Sequence, residues 1–156
     1  MKRIHSIAVL VFVAGLLAAG EAQASSYPLD QILPEAPAQL LIKNGMKTSD
    51  DLLAQAATSA ARRKLAKQIK VGPVKLLEWA KLCDLVRIKG VGPGTVKLFN
   101  AVKIDSVLKL RRQKAARLMK RIEQVNAKKK ITEKLPSEQH LADWIAQAKK
   151  LKIVVR

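Results

Sequence analysis

The sequence predicts an all-α fold, and three observations carry that prediction. Apolar residues recur at helical spacing over residues 74–87 and 114–127. Capping residues, or turns built from proline and glycine, stand where such runs begin and end. Little of the remaining chain alternates apolar and polar residues as a half-buried strand does.

The elements follow in chain order. Lys2 and Arg3 precede an apolar run over residues 7–19, which is short beside the ~20 residues that span a bilayer. Ala22-Gln23-Ala24 is a small-x-small cleavage signal, so residues 1–24 read as a signal peptide and Ser25 as the mature start. An uncleaved anchor is the alternative. The expected destination is the periplasm. Residues 25–33 read as a linker, and over residues 25–39 Pro28, Pro34 and Pro37 argue against a long regular element. Leu40, Leu41, Ile42 and Met46 suggest a short helix stopped by Asn44-Gly45.

Thr48-Ser49-Asp50-Asp51 is an N-cap cluster before Leu52 and Leu53. Thr58 caps the next helix, residues 59–69. Leu65, Ala66 and Ile69 mark its inner side, and Arg62, Arg63, Lys64, Lys67 and Lys70 its wet side. After the turn Val71-Gly72-Pro73, residues 74–87 carry Leu76, Leu77, Ala80, Cys83, Leu85 and Val86 at helical period, with Trp79 read as core. Cys83 is the only cysteine, so no intrachain disulfide can form. It reads as a small core residue, a disulfide-linked dimer being the lesser alternative. Asp105 is the expected N-cap of a helix carrying Val107, Leu108 and Leu110. Ala115, Leu118, Met119, Ile122 and Val125 then share one side of an amphipathic helix. Ser137 caps the last helix, which buries Leu141, Trp144, Ile145 and Ala148. Residues 152–156 read as a tail, with Ile153 and Val154 expected to pack it.

One stretch organises the rest. Leu85 and Ile88 end one helical pattern, Gly90-Val91-Gly92 forms a tight turn, and Pro93 suits the first position of a new helix continued by Val96 and Phe99. This pattern resembles the helix-hairpin-helix motif, a module often found on DNA phosphates. It departs at Val96, where the motif usually has Ala, and at Gly94, where DNA-binding copies often carry Lys or Arg. The resemblance implies phosphate contact by the backbone of Gly90, Val91, Gly92 and Gly94, aided by the Thr95 hydroxyl and the charges of Lys89 and Lys97. The other reading is that the turn only joins two helices compactly.

The halves of the chain echo each other. Sliding by 56 positions sets Ile32 on Ile88, Pro37 on Pro93, Leu40 on Val96, Asn44 on Asn100, Met46 on Val102 and Leu52 on Leu108. The first copy has Pro34 and Ala36 where the second has Gly90 and Gly92. More widely, the chain resembles the bacterial family called domain of unknown function 4332. The residues that carry this include Gly45, Thr48, Asp51-Leu52-Leu53, Arg63, Leu65-Ala66, Trp79, Asp84-Leu85 and the run from Arg87 to Pro93. Further on they include Asn126, Lys128-Lys129-Lys130, Leu135-Pro136-Ser137, Trp144-Ile145 and Ala148-Lys149-Lys150-Leu151. The resemblance implies tandem helix-hairpin-helix units over residues 34–151, a degenerate copy followed by a glycine-complete one. It implies no established activity.

Charge narrows the partners. The chain has 30 Lys and Arg against 12 Asp and Glu, a net +18. Ten bases and the single acid Glu123 fall within residues 109–130, where Lys114, Arg117, Lys120 and Arg121 form a candidate basic patch. Such a balance points to an anionic partner. The first expectation is double-stranded DNA held without base readout. Five or six neutralised phosphates would give a log–log salt slope of about −5. The alternative is a helical module docking on an acidic envelope protein or polymer, and anionic lipid ranks last. Aromatics are 3% of residues, too few for single-strand stacking along a groove. No spacing suits a metal, a cofactor or a hydrolase elbow, and capping explains Asp50-Asp51, so a non-enzymatic chain is expected.

Overall fold

The computed structural model describes residues 26–155, and the signal peptide read at residues 1–24 lies outside them. Nine helices and no strand occur among the described residues. They are α1 (Leu29–Ile32), α2 (Glu35–Lys43), α3 (Ser49–Ala56), α4 (Ser59–Ile69), α5 (Pro73–Leu85), α6 (Pro93–Ala101), α7 (Val107–Leu110), α8 (Ala115–Lys129) and α9 (Glu138–Lys150). One core runs through both halves, with Leu41, Met46, Leu52, Leu76, Leu85, Phe99, Leu110 and Leu118 among its fully buried members. None of these helices is long and apolar enough to cross a membrane.

Local chemistry sets most boundaries. Gly72 and Gly92 are extended N-caps, and Pro73 and Pro93 each occupy the first helical position, where a missing N–H costs nothing. Ser137 caps α9 by accepting from His140 N at 3.2 Å. Thr48 and Asp51 form a capping box on α3. The Thr48 hydroxyl accepts from Asp51 N at 3.3 Å, and Asp51 Oδ2 accepts from the amides of Thr48 and Lys47, each at 2.9 Å. These bonds, the Thr48 hydroxyl first, hold the Asp51 carboxyl below its usual range. Its contribution is therefore present at neutral pH and fades as acid protonates it. Replacing Thr48 with alanine is expected to cost about 1 kcal/mol in urea denaturation at pH 7.

Several expectations change. Residues 25–33 are not a linker. Leu29, Ile32 and Leu33 are buried, and the segment is strapped to the first unit by Leu29 N to Lys47 O (2.9 Å) and Ser49 N to Tyr27 O (2.8 Å). Pro28 and Pro34 stand just before α1 and α2, and Pro37 lies in the first turn of α2, where they fit. The tail packs as expected, with Ile153 and Val154 against the core, and Val155 is buried as well. Arg62 is not on a wet face. It is buried and donates to Ala56 O (2.9 Å) and Ala57 O (2.7 Å), satisfying the carbonyls that end α3. Asp105 is not the N-cap of α7. Ser106 is, accepting from Lys109 N at 3.2 Å, while Asp105 pairs with Lys109 Nζ at 2.6 Å. Trp79 is only half-buried.

The repeat has a different register. From the N-caps of α2 and α6 onward the offset is 58, not 56, pairing Pro34 with Gly92, Leu41 with Phe99 and Thr48 with Ser106. The bonds closing the two helices match at that spacing. Gly45 N donates to Ile42 O and Lys103 N to Asn100 O, each at 3.0 Å. Met46 N donates to Leu41 O at 3.0 Å, and Ile104 N to Phe99 O at 2.8 Å. Gly45 and Lys103 share a left-handed conformation, φ 84° and 64°. Met46 therefore corresponds to Ile104 and Leu52 to Leu110, all buried.

Candidate nucleic-acid interface at the glycine turn

The turn between α5 and α6 is held from three directions. At the end of α5, Arg87 donates to the buried Asp84 Oδ1 at 2.5 Å and reaches the tail carbonyl of Lys152 at 3.4 Å. Burial pushes the Asp84 carboxyl above its ordinary range, and Arg87 opposes that shift. Next, α9 grips the backbone of Lys89. Lys89 N donates to Gln147 Oε1 at 3.0 Å, and Gln147 Nε2 donates to Lys89 O at 3.3 Å. Third, the Trp144 indole lies against Gly90. A Cβ on Gly90 would stand 3.0 Å from Trp144 Nε1, and Gly90 has φ 88°, so both space and backbone conformation require glycine there. Trp144 in turn packs edge-on to Phe99, centroids 5.8 Å apart, and stacks with His140 at 5.9 Å.

This clamp aims the N-terminus of α6. Val91 is buried, with its amide donating to Ile88 O at 3.0 Å. The first helical bond runs from Val96 N to Gly92 O at 3.0 Å, and no side chain caps the helix. The amides of Gly94 and Thr95 thus face outward without an intrahelical acceptor. They border a cleft of about 430 Å³, shared with Tyr27, Leu98, Thr132, Lys134, His140 and Trp144. Gly94 is exposed, and a Cβ there would meet nothing within 4 Å. At Gly92 a Cβ would make only an ordinary contact with the Tyr27 hydroxyl, at 3.5 Å. Partial positive charge from the helix end, two open amides and the Thr95 hydroxyl suit an anionic oxygen.

The sequence-derived site residues divide. Gly90, Gly92, Gly94 and Thr95 line this cleft; Val91 is beneath it, and exposed Lys89 flanks it. Lys97 belongs to another depression, beside Asp30 and Glu35. The basic patch does not join the turn. Arg121 donates to the carbonyl of Val102, at the far end of α6, and to Gln113 Oε1 at 3.1 Å. It therefore caps α6, whose nine residues span roughly 13 Å. Lys114 is the N-cap of α8, Arg117 and Lys120 lie in its first half beside Arg121, and all three are exposed. The residues that reach the cleft come instead from beyond α8, above all Lys134. Sequence reasoning passed over Lys134, Tyr27 and Gln147, because no local pattern links them to a turn tens of residues away.

Cys83 is fully buried, and its thiol is pushed up to about 12, by burial first and then by Asp84 and Asp50, so it stays protonated. Among the described residues no group of three or more His, Cys, Asp or Glu side chains is placed to hold a metal ion. No curated protein and no solved structure matches the chain. A family model matches residues 30–151, most of the chain, which therefore belongs to the family described as Domain of unknown function (DUF4332).

Proposed function

We propose that the chain is an exported, non-enzymatic binding protein that holds the phosphate backbone of double-stranded DNA without reading its sequence. In this reading α5, the glycine turn and α6 act as a helix-hairpin-helix unit. The observation that carries it is the uncapped N-terminus of α6, with the Gly94 and Thr95 amides opening on a cleft bordered by Lys134. The net charge of +18 supports it by drawing a polyanion to the surface at long range. Lys114, Arg117 and Lys120 would add contacts on neighbouring phosphates, not on the one at the turn.

The test is fluorescence anisotropy with duplex DNA across salt, comparing the protein with Gly94→Glu. The new side chain has open space around it, and an acid in the first turn of a helix is favourable. The expected result is an unchanged or slightly raised Tm together with DNA affinity at least about tenfold weaker, because a carboxylate replaces the phosphate at the amides. Equal affinity for the two proteins would sink the proposal and leave the turn as a helix connector. Gly90→Ala is a poor probe, since it disturbs Trp144 whatever the turn binds.

A further inference from the structure

A second concave surface lies away from the glycine turn, between α2, α5 and the α6–α7 junction. It is a groove of about 530 Å³. Its floor is apolar: Trp79 and Leu82, one turn apart on α5, face Pro34 and Pro37 at the start of α2. Trp79 and Leu82 are half-buried, and the Trp79 indole N–H donates to no protein acceptor among the described residues. A large aromatic that the core leaves half-open, with an unused donor, is a common anchor point for a partner.

The rim decides what kind of partner. Its two acids are already engaged. Glu78 pairs with Lys75 at 3.6 Å. Asp105 pairs with Lys109 through Oδ2 at 2.6 Å, and its Oδ1 is buried without a hydrogen-bond partner and so turned away from the groove's solvent. Lys81 and Lys103 line the same groove and make no ion pair among the described residues. The available charge is therefore positive, around an apolar floor. A run of phosphates has nothing to place on that apolar floor. A peptide can put one apolar side chain on Trp79 and Leu82 and its carboxylates on Lys81 and Lys103.

We propose that this groove docks an acidic peptide segment of a partner protein, anchored by a bulky apolar side chain. This goes beyond the DNA reading and stands on different residues, so Gly94→Glu leaves it untouched. The test uses the full chain labelled with ¹⁵N, its two indole signals assigned with Trp79→Phe. The probe is a blocked peptide with one phenylalanine flanked on both sides by Asp and Glu. The expected result is a saturable shift of the Trp79 indole signal, with Trp144 unmoved, at sub-millimolar to millimolar peptide. Changing the probe's phenylalanine to alanine, or the protein's Lys81→Glu with Lys103→Glu, weakens binding at least about fivefold. Both lysines are on the rim, so spectral dispersion of the double variant is expected to stay native. No Trp79 shift at millimolar peptide, indifference to the two lysines, or tighter engagement of Trp79 by duplex DNA than by the peptide overturns the proposal.

Discussion

Replacing Trp144 with alanine is expected to remove about 4 kcal/mol of stability, the largest single loss we anticipate. The indole is buried at 8% exposure and touches three things at once: the face of Gly90, the edge of Phe99 and the His140 ring. Truncation leaves a void between the glycine turn, α6 and α9, beside the cleft that Trp144 lines, and the surrounding helices can close it only in part. Trp144→Phe is expected to cost clearly less, since most of the apolar volume is retained. Equilibrium unfolding in guanidinium measures both. On the proposed DNA reading the alanine variant also binds duplex DNA more weakly, because the α6 N-terminus is aimed by the clamp that Trp144 completes. A loss below about 1 kcal/mol would mean that the indole only covers the turn and does not support it.

Arg87→Ala is expected to cost about 3 kcal/mol at neutral pH, through a different mechanism. Asp84 is 3% exposed and Arg87 is its ion-pair partner, at 2.5 Å. Without the guanidinium, a buried carboxylate is left uncompensated, and the carbonyl of Lys152 loses its donor. The pH dependence gives the mechanism away. Burial already raises the Asp84 carboxyl, and removing Arg87 raises it further. A carboxyl whose folded value lies above its unfolded one favours the folded state below the unfolded value and loses that benefit as pH rises through the folded value. The deficit of the variant should therefore shrink between pH 7 and pH 4. Unfolding curves at the two pH values test this, and a deficit that does not change with pH would assign Arg87 a packing role.

Much of the local architecture was readable from the residues. Gly72-Pro73 and Gly92-Pro93 placed two helix starts by their chemistry alone, as did Thr48, Thr58 and Ser137 by theirs. The repeat was readable but misaligned. Leucine and valine recur every three or four residues along a helix, so an apolar match at 56 looks almost as good as one at 58. The hydrogen bonds that end α2 and α6 do not share that ambiguity. Arg62 was misread for a related reason. A cation in a basic run reads as solvated, and nothing local announces that the preceding helix ends beside it with two carbonyls to satisfy.

The candidate site divides along the same line. Sequence alone determined the helical class, the position of the glycine turn and the strong positive charge, because propensity, capping and composition act over a few residues. Only tertiary structure decided what surrounds that turn. Gly90 is required by Trp144, 54 positions later, as much as by its own backbone angle. The Lys89 amide is spent on Gln147, and Arg121 on Val102, so neither is free for a ligand. Lys134 and Tyr27 meet the N-terminus of α6 because α9 and the Tyr27 strap fold back on it. Hydrogen bonds and side-chain contacts between residues far apart in the chain leave no trace in local periodicity, and they settle which amides and cations still face solvent.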